Sequence, residues 1–79
     1  MAKRIDVLLG GNAYECFLLS TTERENAATV DGYIVAGVGS IVIDRSTGAV
    51  VSVAPLLDGG AVILEQLAPL IFEQASAGT

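Results

Sequence analysis

The residue types in this chain that do chemistry elsewhere are the thiol of Cys16, the carboxylates of Asp31 and Asp44, the neighbouring Glu23 and Glu25, and the glycines of Gly37-Val38-Gly39. A thiol attacks carbonyl carbons and disulfides once a base or a cation converts it to thiolate. Paired carboxylates in unlike surroundings divide acid and base work between them. A glycine loop cradles phosphate when it opens into a helix N-terminus. The chain has no histidine, which removes the commonest general base, the usual zinc ligand and any triad built on imidazole. The remaining groups lack the setting their chemistry needs. Cys16 lies between apolar neighbours in a strand-like stretch with no base nearby, which predicts an inert buried thiol. Asp31 and Asp44 read as turn residues near Gly32 and Gly48, and Gly37-Val38-Gly39 precedes a strand instead of a helix. Glu23 and Glu25 read as a solvated loop, with an acidic contact patch as the functional alternative. Elimination favours a binding protein over an enzyme, with no catalytic or metal-binding residues and no cofactor.

The elements that hold these groups follow from periodicity and turn chemistry. Ile41, Val42 and Ile43 on one side of Asp44-Arg45-Ser46-Thr47-Gly48, and Val50, Val51 and Val53 on the other, are β-branched residues that suit two pleated strands. Asp44 can bond its own backbone two residues on and Gly48 can take positive φ, so the charged pentapeptide reads as a hairpin turn. Gly10-Gly11-Asn12 predicts an earlier hairpin between Arg4–Leu9 and Ala13–Leu19. Alternation in its second strand puts Tyr14, Cys16 and Leu18 on one face and Glu15, Phe17 and Leu19 on the other, both largely apolar, the pattern of a strand covered on both sides. Ser20 with Glu23, or Thr22 with Glu25, has capping-box spacing, which predicts a helical turn or an exposed loop there. Asp31-Gly32 predicts a turn, followed by a strand from Tyr33 that bends or bulges at Gly37-Val38-Gly39 and resumes at Ser40. Asp58 can cap a last helix from about Gly60 to Ala75, whose Leu64, Leu67, Ala68, Ile71 and Ala75 form one apolar stripe. Pro69 falls on its polar flank and predicts a bend. The whole is a single α+β domain over residues 1–79: an antiparallel sheet of about four strands covered by a C-terminal amphipathic helix.

Composition narrows the functional classes. At 79 residues with 52% hydrophobic side chains, the chain carries more apolar surface than so small a domain readily encloses, which predicts an interface. The formal net charge is −5, and from Ile5 onward nine acids stand against Arg24 and Arg45, a body charge of −7. A phosphate backbone is repelled by that field and a basic protein surface is attracted. No apolar run approaches the roughly 20 residues of a membrane span, and the short stretch after Lys3-Arg4 is interrupted by Asp6, so neither a membrane helix nor an export signal is expected. A single cysteine fits a reducing compartment, the cytoplasm.

The stretch Ala36-Gly37-Val38-Gly39-Ser40-Ile41-Val42-Ile43-Asp44-Arg45-Ser46-Thr47-Gly48-Ala49-Val50 resembles the signature of the immunity protein thirty-five family, also called YrhB-like, and Tyr14-Glu15-Cys16-Phe17 is similar to that family's earlier aromatic strand. The family usually carries a helix before its first strand, whereas this chain begins almost at the strand, which leaves an expectation of one bare sheet face. The resemblance implies a small cytoplasmic α+β protein that neutralises a toxin by binding. It carries over no binding residues.

The leading functional expectation is therefore a non-enzymatic inhibitor of the immunity type that holds a basic protein partner through acidic and apolar surface. Glu23, Glu25 and Asp31 in the polar loops, and Glu65, Phe72 and Glu73 near the last helix, are the expected contact residues. A phage-encoded anti-defence protein of the anti-CRISPR type, whose carboxylates occupy a nucleic-acid site, is the second reading. A homo-oligomeric assembly subunit, at its simplest a homodimer, is the third.

Overall fold

The computed structural model of the protein describes residues 3–23 and 28–77. Five strands, β1 (Lys3–Leu9), β2 (Asn12–Glu23), β3 (Thr29–Val35), β4 (Gly39–Asp44) and β5 (Val50–Pro55), precede one helix, α1 (Gly60–Ala77). The strands form one antiparallel sheet in the order β1-β2-β3-β4-β5, so every strand pairs with its neighbours in sequence. With a helix on one face, this is the α+β architecture the patterning predicts, with five strands in place of about four. The additional strand arises at Gly37-Val38, where the chain makes a full turn instead of a bulge: the Val38 N–H donates to the Val35 carbonyl at 3.0 Å.

Two turns are fixed by their residues. Gly10 and Gly11 have φ of 58° and 83°, the pair of left-handed residues that a two-residue type I′ hairpin turn requires. Between β4 and β5, the Asp44 Oδ1 accepts from the Ser46 N–H at 2.8 Å, the Ser46 hydroxyl at 2.7 Å and the Thr47 N–H at 3.2 Å. The Gly48 N–H then closes on the Asp44 carbonyl at 2.8 Å. Gly48 has φ of 81°, and a Cβ there would stand 2.7 Å from Cδ2 of Phe72. The turn is thus shaped twice for glycine, once by its backbone and once by the ring above it.

Two local expectations are corrected by the sheet. Ser20 to Glu23 do not start a helical turn, because β2 continues through them and pairs Ser20 with Gly32, Thr21 with Asp31, Thr22 with Val30 and Glu23 with Thr29. Asp31-Gly32 is accordingly the middle of β3 and not a turn, hydrogen-bonded between β2 and β4. Long-range pairing on both sides outweighs the local turn preference of an Asp-Gly pair. A bulge between Leu18 and Ser20 absorbs the change of register.

The helix buries the predicted stripe, with Leu64, Leu67, Ala68 and Ile71 nearly inaccessible. These side chains meet Ile5, Val7, Cys16, Tyr33, Val35, Ile41 and Ile43 from the sheet, and α1 packs against β1, β4 and β5. Its first residue is Gly60 and the Ile63 N–H donates to the Gly59 carbonyl, so Gly59 occupies the cap position expected of Asp58, which is exposed one residue earlier. Pro69 lies inside the helix on its exposed side, where the N–H it lacks would otherwise have donated to the Glu65 carbonyl.

Candidate functional site

The helix covers one face of the sheet, and among the described residues no element packs over the other. Alternation along the strands sends Leu8 of β1, Phe17 of β2, Ile34 of β3 and Val42 of β4 to the uncovered face. Phe17 and Ile34 are directly paired, and Val42 lies opposite Gly32. Leu8 is 74% exposed, Ile34 41% and the bulge residue Leu19 59%. The expectation of an apolar pattern on both faces of β2 is thus met, with the second face uncovered. Phe17 and Val42 are half-buried, and apolar side chains at the centre of an open antiparallel face are the unusual feature of this surface, since such a face ordinarily alternates to polar residues.

Charge borders this centre at one corner. The Arg4 guanidinium donates from Nε to Asp6 at 2.9 Å and from an Nη to Glu15 at 2.8 Å. A hydrogen bond and the charge of Asp6, then the charge of Glu15, raise the Arg4 pKa above its ordinary value, so the cation is fixed and the corner carries one net negative charge. At the opposite corner stands Asp44, its Oδ1 occupied by the turn.

On the helix-bearing face a cleft of about 230 Å³ opens between the sheet and the last turns of α1, lined by Lys3, Leu18, Asp31, Tyr33, Ile43, Arg45, Phe72, Ala75 and Ser76. Asp31 is only 6% exposed. Its Oδ1 accepts from the Thr21 hydroxyl at 2.7 Å and its Oδ2 faces the Arg45 Nε at 3.6 Å. Arg45 is itself held by its N–H, which donates to the Thr29 carbonyl at 2.9 Å. Both carboxylate oxygens are engaged by the protein, and the three side chains tie β2, β3 and the β4–β5 turn together. Burial, followed by the charge of Asp31, pushes the Tyr33 phenol up. Burial also pushes the Cys16 thiol up to about 11, so at neutral pH the thiol stays protonated and unreactive.

The structure disperses the expected contact residues. Glu23 is exposed at the end of β2, and Glu65 and Glu73 are exposed on α1. Asp31 is a buried strand residue of the cleft and not a loop residue, because β3 runs through it. Phe72 is half-buried over Gly48. Glu25 lies outside the described residues. None of the described five belongs to the open face. What the sequence reasoning missed is the Thr21–Asp31–Arg45 tie and the Arg4–Asp6–Glu15 corner. The corner has a signal, since a two-residue turn at Gly10-Gly11 places Asp6 opposite Glu15.

Among the described residues no three of His, Cys, Asp and Glu are grouped to hold a metal ion, and no helix is long and apolar enough to cross a membrane. Comparison of the chain with protein-family models, with curated proteins and with solved structures finds no match in any of the three.

Proposed function

We propose that this protein is a non-enzymatic inhibitor of the immunity type, which neutralises a partner protein by covering part of it with the open face of its sheet. The observation that carries the reading is the apolar centre of that face, Phe17 against Ile34 with Val42 beside them, on a domain whose own helix packs on the opposite side. A net charge of −5 and the acidic corner at Asp6 and Glu15 favour a partner with a basic surface, both in encounter rate and in register. The lone Cys16 suits the reducing cytoplasm as the place of action. Glu23, Glu65 and Glu73 supply further exposed carboxylates that steer the same partner from outside the contact. Those carboxylates also support a second reading, an anti-defence protein that fills a nucleic-acid channel of an effector. The identity of the partner separates the two.

The test uses immobilised protein and a lysate of the source. Wild type is expected to retain one basic protein at low salt and release it at high salt, and Ile34→Glu is expected to retain none while keeping the wild-type melting temperature. Retention by Ile34→Glu equal to wild type would remove the open face as the binding surface.

A further inference from the structure

We infer that two copies of the chain join through β1, paired antiparallel about a two-fold axis at Ile5, so that two five-stranded sheets become one continuous sheet. The inference uses none of Phe17, Ile34 and Val42 and rests on the edge of β1, whose Arg4 and Asp6 border the open face at one corner.

β1 has a neighbour on one side only. The Glu15 carbonyl accepts from the Ala36 N–H at 2.9 Å, so Glu15 directs its main-chain groups away from β1, and by alternation Tyr14 and Cys16 direct theirs toward it. Their partners Val7 and Ile5 are therefore bonded inward, and the N–H and C=O groups of Arg4, Asp6 and Leu8 point out of the sheet. β1 contains neither a proline nor a bulge, two of the devices that blunt an edge. The other edge differs. There the Leu56 N–H bonds inward to Val38 at 2.8 Å, which leaves Val53 and Pro55 facing out. Pro55 has no N–H, and a register shift opposite Val42 and Ile43 disturbs the strand at Val51.

Charge then chooses both the occupant and the register. Only residues with outward main-chain groups can bond to one another, so a two-fold axis can fall at Arg4, Ile5, Asp6, Val7 or Leu8, the last setting Leu8 against Leu8 with no charge pair. An axis at Arg4 sets Arg4 against Arg4, and one at Asp6 sets Asp6 against Asp6, each a like-charge pair directly opposite. An axis at Val7 sets Asp6 against Leu8, with no charge pair. An axis at Ile5 sets Arg4 of each copy, already bonded to Asp6 and Glu15 of its own chain, opposite Asp6 of the other, so that each guanidinium bridges the two acidic corners, with four main-chain hydrogen bonds from those two pairs and Ile5 against Ile5 on the core side. In the same register Lys3 of the second copy stands opposite Val7, on the helix-bearing face. It enters a groove of about 480 Å³ between β1 and α1 that is bordered by Asp6, Leu8, Leu70 and Glu73. The sequence Lys3-Arg4-Ile5-Asp6 is thus complementary to itself, and an unrelated strand has no reason to be.

The experiment is sedimentation of the full chain with charge-exchanged variants. Wild type is expected to sediment at twice the 8.1 kDa chain mass as concentration rises. Arg4→Asp and Asp6→Arg are each expected to weaken self-association about tenfold or more, because each turns both cross-strand pairs repulsive. An equimolar mixture of the two variants is expected to regain the dimer, since Arg4 then meets Asp6 and the new Asp meets the new Arg. Thermal melts of each variant check that the exposed substitutions leave the fold intact. A wild type that remains monomeric throughout the concentration range, or single variants that associate like wild type, would overturn the dimer. Either of those results leaves the open-face reading standing, because Ile34 lies outside this contact.

Discussion

Substitution of Gly48 by alanine tests whether Asp44-Arg45-Ser46-Thr47-Gly48 is a structural turn or a binding site. Two costs are separable in the structure. The φ of 81° places an L-residue in the left-handed region, at about 1–2 kcal/mol. The new Cβ would stand 2.7 Å from Phe72 Cδ2 and 2.8 Å from Cγ, and displacing a ring seated between helix and turn costs about 1–3 kcal/mol more. The sum, about 2–5 kcal/mol, is comparable to the whole stability of a domain of this size. Urea unfolding followed by far-UV circular dichroism should show the midpoint falling with the slope unchanged. The same substitution in a Phe72→Ala background should recover the steric part and leave only the backbone cost, a coupling that a double-mutant cycle reads directly. Equal costs in both backgrounds would refute the contact. Loss of partner binding by Gly48→Ala at wild-type stability would show that the pentapeptide is a site.

Further outcomes follow from two titrating groups. Hydrogen bonds from the Ser46 hydroxyl and N–H hold the Asp44 carboxyl below its ordinary value. The stabilisation is therefore present above the unfolded carboxylate pKa of about 3.9 and lost as pH falls through the depressed folded value. The stability difference between wild type and Asp44→Ala should shrink correspondingly in acid denaturation, and a difference independent of pH would contradict the turn geometry. Burial raises the Cys16 thiol to about 11, so its contribution is intact below the unfolded thiol pKa of about 8.5 and is lost as pH rises toward 11. Cys16→Ala should remove that alkaline decline, and alkylation of wild type at pH 8 should proceed only as fast as the chain unfolds, which mass spectrometry in graded urea measures.

Local chemistry made some of the fold legible and tertiary pairing hid the rest. The Gly10-Gly11 turn, the Asp44–Gly48 turn and the helical stripe from Leu64 to Ala75 are each specified by residues adjacent in sequence or one helical turn apart, and each stands where the patterning puts it. Asp31-Gly32 and Ser20 to Glu23 are different, because each segment alone favours a turn or a helix start, and only its pairing with the other makes both into strand. The same holds for the site. The bare face is implied by apolar residues on both sides of β2 with a single helix to cover them. The burial of Asp31 depends on Thr21 of β2 and Arg45 of the β4–β5 turn, which lie 10 and 14 positions away, and no local pattern joins them. Glu65 and Glu73 are exposed on α1, while Phe72 is half-buried over Gly48, a contact between segments 24 positions apart that no local pattern shows.

The uninterrupted order of the sheet has a kinetic consequence. Every strand pairing joins sequence neighbours through a short connection, so the sheet can zip from any hairpin with little loop-closure entropy. The docking of α1 on β1 is the exception, since it joins segments more than 50 residues apart. Closure of that contact is the slow, cooperative event that turns a chain of hairpins into a domain. Substitutions at Ile5 or Val7, whose contacts with α1 form in that slow step, should therefore slow folding and show on the folding limb of a chevron.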